Sequence, residues 1–205
     1  MIMENKLLIA SGNLGKICEI KAILSPLKLM VVSTQDLGFE IHVSETGNTY
    51  TENAHIKAIA YLQKSDLTVL ADDSGLEVDL LSGAPGVYSA RFSPKENAND
   101  ADRRDYLIKQ LKDKPQPWKA HFHCAAVLAT PGGQIYETHG QCQGTIIPQE
   151  RGSGGFGYDP VFYMPEFNAT MAELAPQLKN AISHRASALK AMIPMIIKVF
   201  SLDPK

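Results

Sequence analysis

The order of apolar runs and helical spacings along the chain predicts a mixed α/β protein. Leu7–Ala10 is a short apolar run that the polar segment Ser11–Asn13 ends, which predicts a buried strand followed by a tight turn. Apolar residues within Lys16–Leu27 recur at helical spacing and predict a helix. Leu29–Val32 predicts a second strand. The chain therefore opens with a strand, a turn, a helix and another strand.

The middle of the chain predicts a helix and two strands, with a pair of acidic residues between the strands. Thr49 followed by Glu52 is a candidate capping box and predicts a helix that ends near Gln63. Thr68–Ala71 has the pattern of a buried strand that runs into a loop at Asp72–Gly75. Apolar and acidic residues alternate after that loop, which is typical of a half-exposed strand.

The second half of the chain predicts one amphipathic helix and a hairpin before a glycine-rich segment. The helix covers Asp100–Lys112. Two strands, His121–Ala129 and Gln134–His139, flank the turn residues Pro131–Gly133, which indicates a hairpin. Gly152–Gly157 contains too much glycine for a regular element, because glycine loses the most conformational entropy on ordering.

The end of the chain carries two further helix signals. Thr170 with Glu173 is a second candidate capping box. Ser183 is the expected cap of a final apolar helix, which Pro194 could bend. Helices and strands alternate too irregularly for a plain doubly wound sheet, so the sequence predicts a mixed α/β fold.

Length and charge limit the classes of partner. The 205 residues, 44% of them hydrophobic and 20% charged, suffice for one domain or two fused lobes. Twenty basic and 22 acidic residues give a formal charge of −2. Nucleic-acid polymers and anionic membranes usually require a basic surface, so we expect neither as a partner. A local basic pocket for a small anion stays compatible with this balance.

The cysteines and the apolar runs indicate a soluble, cytoplasmic protein. Cys18, Cys124 and Cys142 are widely spaced and odd in number, which favours buried free thiols in a reducing compartment over a disulfide framework or a zinc site. The apolar run in Met1–Ala10 is too short for a signal peptide. Elsewhere the runs stay below the roughly 20 residues that a membrane span needs.

The first strand-to-helix junction is a candidate phosphate site, Ser11-Gly12-Asn13-Leu14-Gly15-Lys16. Such a junction presents backbone N–H groups at the positive end of the helix dipole. Lys16 adds a mobile positive charge, and Ser11 and Asn13 add short polar groups. The glycine spacing differs from that of a Walker loop. The alternative is a plain turn with Asn13 in a left-handed conformation.

Three carboxylates are candidates for binding a metal ion. Asp72 and Asp73 follow a buried strand, and alternation along a strand predicts that only one of them faces any one site. Strand-end carboxylates suit Mg²⁺, which takes few protein ligands and keeps several waters. Glu45 could supply a second ligand. The alternative is an Asx turn beside a solvated acid.

The glycine-rich loop and the start of the last helix are candidates for binding a base. Phe156 could stack on a nucleobase, although a lone loop phenylalanine is more often a buried anchor. Lys179, His184 and Arg185 place several donors near the last helix, and the Arg185 fork suits a carbonyl or phosphate. The alternative is an ordinary polar surface.

Ordered blocks extend these separate signals over most of the chain. They are Ser11-x-Asn13-x-x-Lys16, Glu45-Thr46-Gly47-x-Thr49-x-x-Glu52-Asn53-Ala54, Ala71-Asp72-Asp73-Ser74-Gly75-Leu76, Gly83-Ala84-Pro85-Gly86-x-x-Ser89-Ala90-Arg91, Gly155-Phe156-Gly157-Tyr158-Asp159-Pro160, Ala172-Glu173-Leu174 and Lys179-x-x-Ile182-Ser183-His184-Arg185. In this order they resemble the ITPase-like, or Ham1, family of nucleoside triphosphate pyrophosphatases that act on non-canonical purines. Threonine is common in the family where this chain has Ser11, and the hydroxyl is retained.

The resemblance implies a fold, an activity and a set of roles. The fold is one ITPase-like domain over residues 1–205, with an elongated mixed sheet and two lobes around a central cleft, in a homodimer. The activity is Mg²⁺-dependent hydrolysis of ITP, dITP or XTP to the monophosphate and pyrophosphate. By the resemblance Asp73 is the proton acceptor and lies at the metal, and Glu45 is a metal ligand. The substrate contacts it implies are Ser11, Gly12, Asn13, Leu14, Gly15, Lys16, Ser74, Phe156, Gly157, Tyr158, Asp159, Lys179, His184 and Arg185.

Two other functions stay open at this point. A Maf-like pyrophosphatase of different base specificity shares the architecture, and the closing Ser183-His184-Arg185 block argues against it. A non-catalytic nucleotide-binding module is disfavoured by Glu45 and Asp73, since a sensor has no need to activate water. Whether Asp72 shares a role with Asp73 is left open by the sequence.

Overall fold

The computed structural model describes residues 6–39 and 41–202. Part of the segment in which we expect no signal peptide, Met1–Asn5, therefore lies outside the described residues. Among the described residues, no helix combines the length and the apolar character that a membrane-spanning segment needs.

Within the described residues, seven strands form one sheet in the order β2-β1-β3-β4-β5-β6-β7. β1 pairs in parallel with β2 and β3, whereas β6 pairs antiparallel with β5 and β7. The mixed α/β class predicted from the sequence is therefore confirmed. The strands are β1 (Lys6–Ala10), β2 (Met30–Ser33), β3 (Thr68–Val78), β4 (Trp118–Ala129), β5 (Ile135–Ile146), β6 (Phe162–Met164) and β7 (Ala169–Thr170).

The helices begin where side-chain caps or proline favour a start. The Thr49–Glu52 capping box is confirmed, since Thr49 Oγ1 accepts from Glu52 N at 3.1 Å and Glu52 Oε2 accepts from Thr49 N at 3.2 Å. Asn99 and Asp102 form a second capping box, which was not predicted from the sequence. The helices are α1 (Leu14–Leu24), α2 (Tyr50–Ser65), α3 (Asp100–Leu111), α4 (Pro176–Ile182) and α5 (His184–Phe200).

The acidic pair lies inside a strand, and the loop predicted at Asp72–Gly75 is wrong. β3 continues without interruption from Thr68 to Val78. Leu76 and Val78 are fully buried, and Ser89 Oγ accepts a hydrogen bond from Leu76 N at 2.9 Å. Continued apolar burial on this strand outweighs the low strand propensity of aspartate and glycine. The two aspartates consequently point to opposite faces, as predicted.

The second predicted capping box does not start a helix. Thr170 lies in β7, and α4 begins only at Pro176, where a missing N–H costs nothing. Glu173 Oε2 still accepts from Thr170 N at 2.8 Å, so the hydrogen bond of a capping box stabilises a turn here. The two hairpin strands, β4 and β5, are also longer than predicted.

The chain divides into two compact units, each with its own core. Unit 1 comprises the described residues up to Asp73, Cys124–Gly140 and those from His184 onward. One of its cores packs β1 against α1 and α5, and another packs β1 against α2, so that this part of the sheet is covered on both faces. Unit 2 comprises Ser74–His123 and Gln141–Ser183, and its core is centred on Phe122, Phe162 and Trp118. The arrangement as one domain of two lobes stays a prediction.

The cysteines are free, as predicted, but only two of them are buried. Cys18 on α1 is exposed, which contradicts the expectation that all three are buried. Burial raises the pKa of Cys124 to about 12 and that of Cys142 to about 11. Both buried thiols are therefore protonated at neutral pH and behave as small apolar groups.

Candidate active site

The junction between β1 and α1 has the form expected of an anion-binding turn. Asn13 caps α1, because its Oδ1 accepts a hydrogen bond from Lys16 N at 3.1 Å. Ser11 Oγ accepts from Asn13 N at 3.1 Å and braces the turn before the helix. The backbone of Asn13 is extended (φ −82°, ψ 113°), so the alternative of a left-handed asparagine is wrong. Gly12 and Leu14 are exposed, which leaves the turn open to solvent.

Asp72 lies at the centre of a buried ion cluster in unit 1. Its Oδ2 lies 3.2 Å from Lys16 Nζ and 3.1 Å from Arg185 Nε. Arg185 also donates through Nη1 to Glu19 on α1. Burial strongly disfavours the charged form of Asp72, but the charges of Lys16, Arg185 and Lys57 outweigh it and hold the pKa of this carboxyl well below its usual range. Asp72 is therefore an ionised anchor for two cations.

Asp73 belongs to a separate cluster on the other face of β3. Its Oδ2 accepts a hydrogen bond from Asn53 Nδ2 at 3.1 Å, and Asn53 Oδ1 in turn accepts from Gly47 N at 2.8 Å. Lys57 Nζ lies 2.7 Å from Glu45 Oε1 and 3.5 Å from Asp73 Oδ1. One ammonium group thus contacts both carboxylates that the resemblance implies as metal ligands.

The electrostatics of this cluster make Asp73 more basic than an ordinary aspartate. Burial raises the pKa of Asp73, and Glu45 acts in the same direction, while Lys57 and Lys16 oppose the shift. Burial alone would lower the pKa of Lys57, but the charges of Asp73, Asp72 and Glu45 raise it. Lys57 is therefore a permanent cation beside two carboxylates.

The donor set fits a hard divalent cation that keeps most of its shell as water or substrate oxygen. No group of three or more His, Cys, Asp or Glu side chains arranged to hold a metal occurs among the described residues. Mg²⁺ commonly binds through one or two carboxylates together with phosphate oxygens, and the chemistry of the pair Glu45 and Asp73 fits that preference. The Lys57 ammonium, in contact with both, shows that this position attracts positive charge.

In unit 2, the glycine-rich loop holds an aromatic ring against a lysine. Phe156 N donates to Asp159 Oδ2 at 2.8 Å, and Lys179 Nζ forms an ion pair with the same carboxylate. Lys179 Nζ lies 4.8 Å from the centroid of the Phe156 ring, in cation–π geometry. A Cβ on Gly155 would lie 2.0 Å from Asp159 Oδ2, so only glycine fits there. The loop thus brings three of the predicted substrate residues together.

Other residues predicted to contact substrate are buried or half-buried. The Tyr158 hydroxyl donates to Ser89 O at 2.9 Å, and burial raises the pKa of this phenol, so the side chain is a neutral part of the core of unit 2. Ser74 follows Asp73 on β3 and is half-buried. His184 and Arg185 begin α5, and both are buried. Their base-reading roles stay predictions.

Three residues of these clusters were not predicted from the sequence: Asn53, Lys57 and Glu19. Asn53 lies within the block that contains Glu45, where it has no role assigned, and Lys57 follows it one helical turn later on α2. That spacing places them on one helix face and could have identified them. Glu19 lies three residues after Lys16 on α1, so the same rule applies to it.

Fold and site together define a mixed α/β protein whose buried carboxylates, lysines and helix start suit phosphate chemistry. The sequence profile of the Ham1 family matches residues 7–195. The chain therefore belongs to the Ham1 family, as the resemblance of its ordered blocks predicts.

Curated relatives and solved structures agree with this assignment. The chain is 44% identical over 199 residues to the dITP/XTP pyrophosphatase of Desulforamulus reducens, covering 95% of this chain and 97% of that protein. It is 46% identical over 185 residues to the dITP/XTP pyrophosphatase of Geobacter sulfurreducens, covering 90% and 92%. The Ham1 protein of Staphylococcus aureus superposes with a TM-score of 0.82 at 36% identity, covering 95% of this chain and 99% of that one. A HAM1 protein of Coxiella burnetii gives 0.83 at 38%, covering 94% and 98%.

Proposed function

We propose that the protein is a nucleoside-triphosphate pyrophosphatase that hydrolyses ITP, dITP or XTP to the monophosphate and pyrophosphate. The observation that carries the proposal is the Asp73 cluster, in which a basic carboxylate and Glu45 share one cation. The relatives at 44% and 46% identity are named dITP/XTP pyrophosphatases. Their similarity extends over most of this chain, which supports transfer of the activity.

We propose Glu45 and Asp73 as the residues that hold a Mg²⁺ ion. When bound, the ion would neutralise phosphate charge and lower the pKa of a coordinated water. Asp73 accepts the proton of the attacking water, and the Asn53 amide keeps the carboxylate oriented. Lys57 limits the repulsion between the two carboxylates.

The phosphate chain is held by the turn Ser11–Lys16 in this proposal. A triphosphate carries about four negative charges, and its leaving pyrophosphate needs cationic neighbours. Lys16 supplies one positive charge from α1, and the helix dipole adds a partial charge. The ionised Asp72 anchors the Lys16 ammonium beside this turn.

The base is selected through its 6-oxo group in this proposal. Inosine and xanthosine present an acceptor where adenosine presents an amino donor, so fixed donors reject adenosine. We assign stacking to Phe156, recognition of the 6-oxo edge to His184 and Arg185, and further substrate contacts to Ser74 and Lys179. A mispaired buried donor costs roughly 1–3 kcal/mol, which gives about fivefold to 150-fold discrimination per contact.

Pyrophosphate release from a panel of triphosphates tests the proposal. With Mg²⁺ we expect release from ITP, dITP and XTP at a kcat/KM at least about a hundredfold above that for ATP, and no release with EDTA. Preference for a pyrimidine or modified nucleotide would favour the Maf-like alternative. Binding of ITP without release would favour a non-catalytic module.

We further propose that the protein is a cytoplasmic homodimer, acting on the nucleotide pool. The proposal is supported by the family membership and by free cysteines, which are typical of a reducing compartment. Sedimentation should give about twice the 22.4 kDa of one chain. A monomer at micromolar concentration would contradict the dimer and leave the catalytic proposal intact.

A further inference from the structure

Two side chains of α3 form hydrogen bonds with the backbone N–H and C=O groups of Gly157. Asp100 Oδ2 accepts a hydrogen bond from Gly157 N at 2.7 Å. Arg104 donates through Nη1 to Gly157 O at 2.8 Å. Asp100 and Arg104 are one helical turn apart, so one face of α3 contacts the loop.

Each of these side chains is itself fixed by an ion pair. Arg104 contacts Glu150 through two nitrogens, Nε to Oε1 at 2.7 Å and Nη2 to Oε2 at 2.9 Å. Asp100 is paired with Arg103, which also donates to Ala98 O at 2.6 Å. Bidentate pairs of this kind hold a guanidinium in one orientation. The contacts to Gly157 are therefore made by preorganised groups.

These contacts determine the backbone conformation of Phe156. Its own N–H is held by Asp159 at 2.8 Å, and the N–H of the next peptide is held by Asp100 at 2.7 Å. These two peptide planes flank the Phe156 Cα, so holding both fixes its φ and ψ. Arg104 fixes the third plane, through Gly157 O. This backbone fixes the direction of the Phe156 Cα–Cβ bond, and the Lys179 ammonium, 4.8 Å from the ring centroid, restricts the orientation of the ring that extends from it.

We propose that Asp100 and Arg104 are positioning residues that hold the Phe156 ring in place for stacking on the base. This inference rests on the proposed function, because that function assigns Phe156 to the base. Neither side chain needs to touch the nucleotide. A stacked base depends on a fixed ring plane, since a ring that samples several orientations must be ordered again on each binding event.

The expected signature is a loss of affinity for the base with an intact phosphate site. Arg104→Gln removes the charge and the three-nitrogen fork that joins Glu150 to Gly157 O, so we expect KM and Kd for ITP to rise about tenfold, the size of one weakened stacking contact. The value of kcat should stay within about twofold. Inorganic tripolyphosphate carries the phosphates without a base, so its Ki should be unchanged. Asp100→Asn keeps an acceptor for Gly157 N and should bind ITP better than Asp100→Ala.

The matched control is Arg151→Gln, which makes the same chemical change at an exposed arginine paired with Glu173. This control should leave the Kd for ITP and the Ki for tripolyphosphate unchanged. Equal losses of affinity for ITP and tripolyphosphate in Arg104→Gln, or no loss of affinity for either, would overturn the inference. Calorimetric Kd values distinguish failure of the positioning role from failure of the proposed hydrolysis. Wild-type protein that binds ITP without releasing pyrophosphate would refute the hydrolysis and leave the positioning role open to the same test. Wild-type protein that binds neither ligand refutes both.

Discussion

Replacing Asp73 with asparagine should lower kcat for ITP by about 10²–10⁴-fold, the usual range for loss of a general base. Asparagine has nearly the same size but can neither carry the charge nor accept the proton. The substituted side chain can still accept the hydrogen bond that Asn53 donates at 3.1 Å. Lys57 keeps its ion pair with Glu45 at 2.7 Å, so the variant should fold normally. Steady-state kinetics with saturating Mg²⁺, together with a melting curve, measure both effects.

Asp66→Asn provides the matched control for this variant. Asp66 is exposed at the end of α2 in a left-handed conformation (φ 54°), which asparagine tolerates well. The same chemical change there should leave kcat within experimental error of the wild-type value. If Asp73→Asn retains near-wild-type turnover with intact Mg²⁺ dependence, Asp73 is not the base. Glu45 would then be the next carboxylate to test.

Much of the fold could be predicted because the local signals and the tertiary packing agree. The capping box at Thr49 forms as the spacing requires, and α2 follows directly. β3 differs from its prediction, because local propensity favours a loop at Asp72–Gly75 while tertiary burial favours a strand. The spacing of Thr170 and Glu173 also predicts their hydrogen bond correctly, but this bond stabilises a turn and not the start of a helix.

The site could be predicted residue by residue but not as clusters. Alternation along β3 correctly separates Asp72 from Asp73. It could not show that Arg185, more than a hundred residues later, pairs with Asp72. Nor could it show that Lys57 contacts both Glu45 and Asp73, since these contacts join separate elements. Ordered motifs identify the participants, whereas the ion pairs between them depend on tertiary packing.

The Arg185 contacts change what an alanine substitution at this position would measure. Arg185 is 1% exposed, and its guanidinium is paired with Asp72 and Glu19. Truncation leaves two buried carboxylates without this cation, and breaking a buried pair typically costs about 3–5 kcal/mol. We therefore expect Arg185→Ala to lower the melting temperature by on the order of 10 °C. Loss of ITP selectivity in this variant would be confounded by that instability.

Two companion variants separate stability from base recognition. Glu19→Gln in the Arg185→Ala background removes one uncompensated charge and should recover part of the lost melting temperature. Arg185→Lys keeps the positive charge but not the planar fork, so it should be less destabilised while its ratio of kcat/KM for ITP over ATP falls about tenfold. An unchanged ratio in Arg185→Lys would remove the base-reading role, leaving Arg185 as a structural cation.

Arg151→Ala breaks an exposed pair with Glu173 and should shift the melting temperature by at most a few degrees, because exposed ion pairs contribute about 0–1 kcal/mol. A melting temperature for Arg185→Ala as high as that of Arg151→Ala would show that Lys16 alone neutralises Asp72, and that the buried pair is not the anchor of this site.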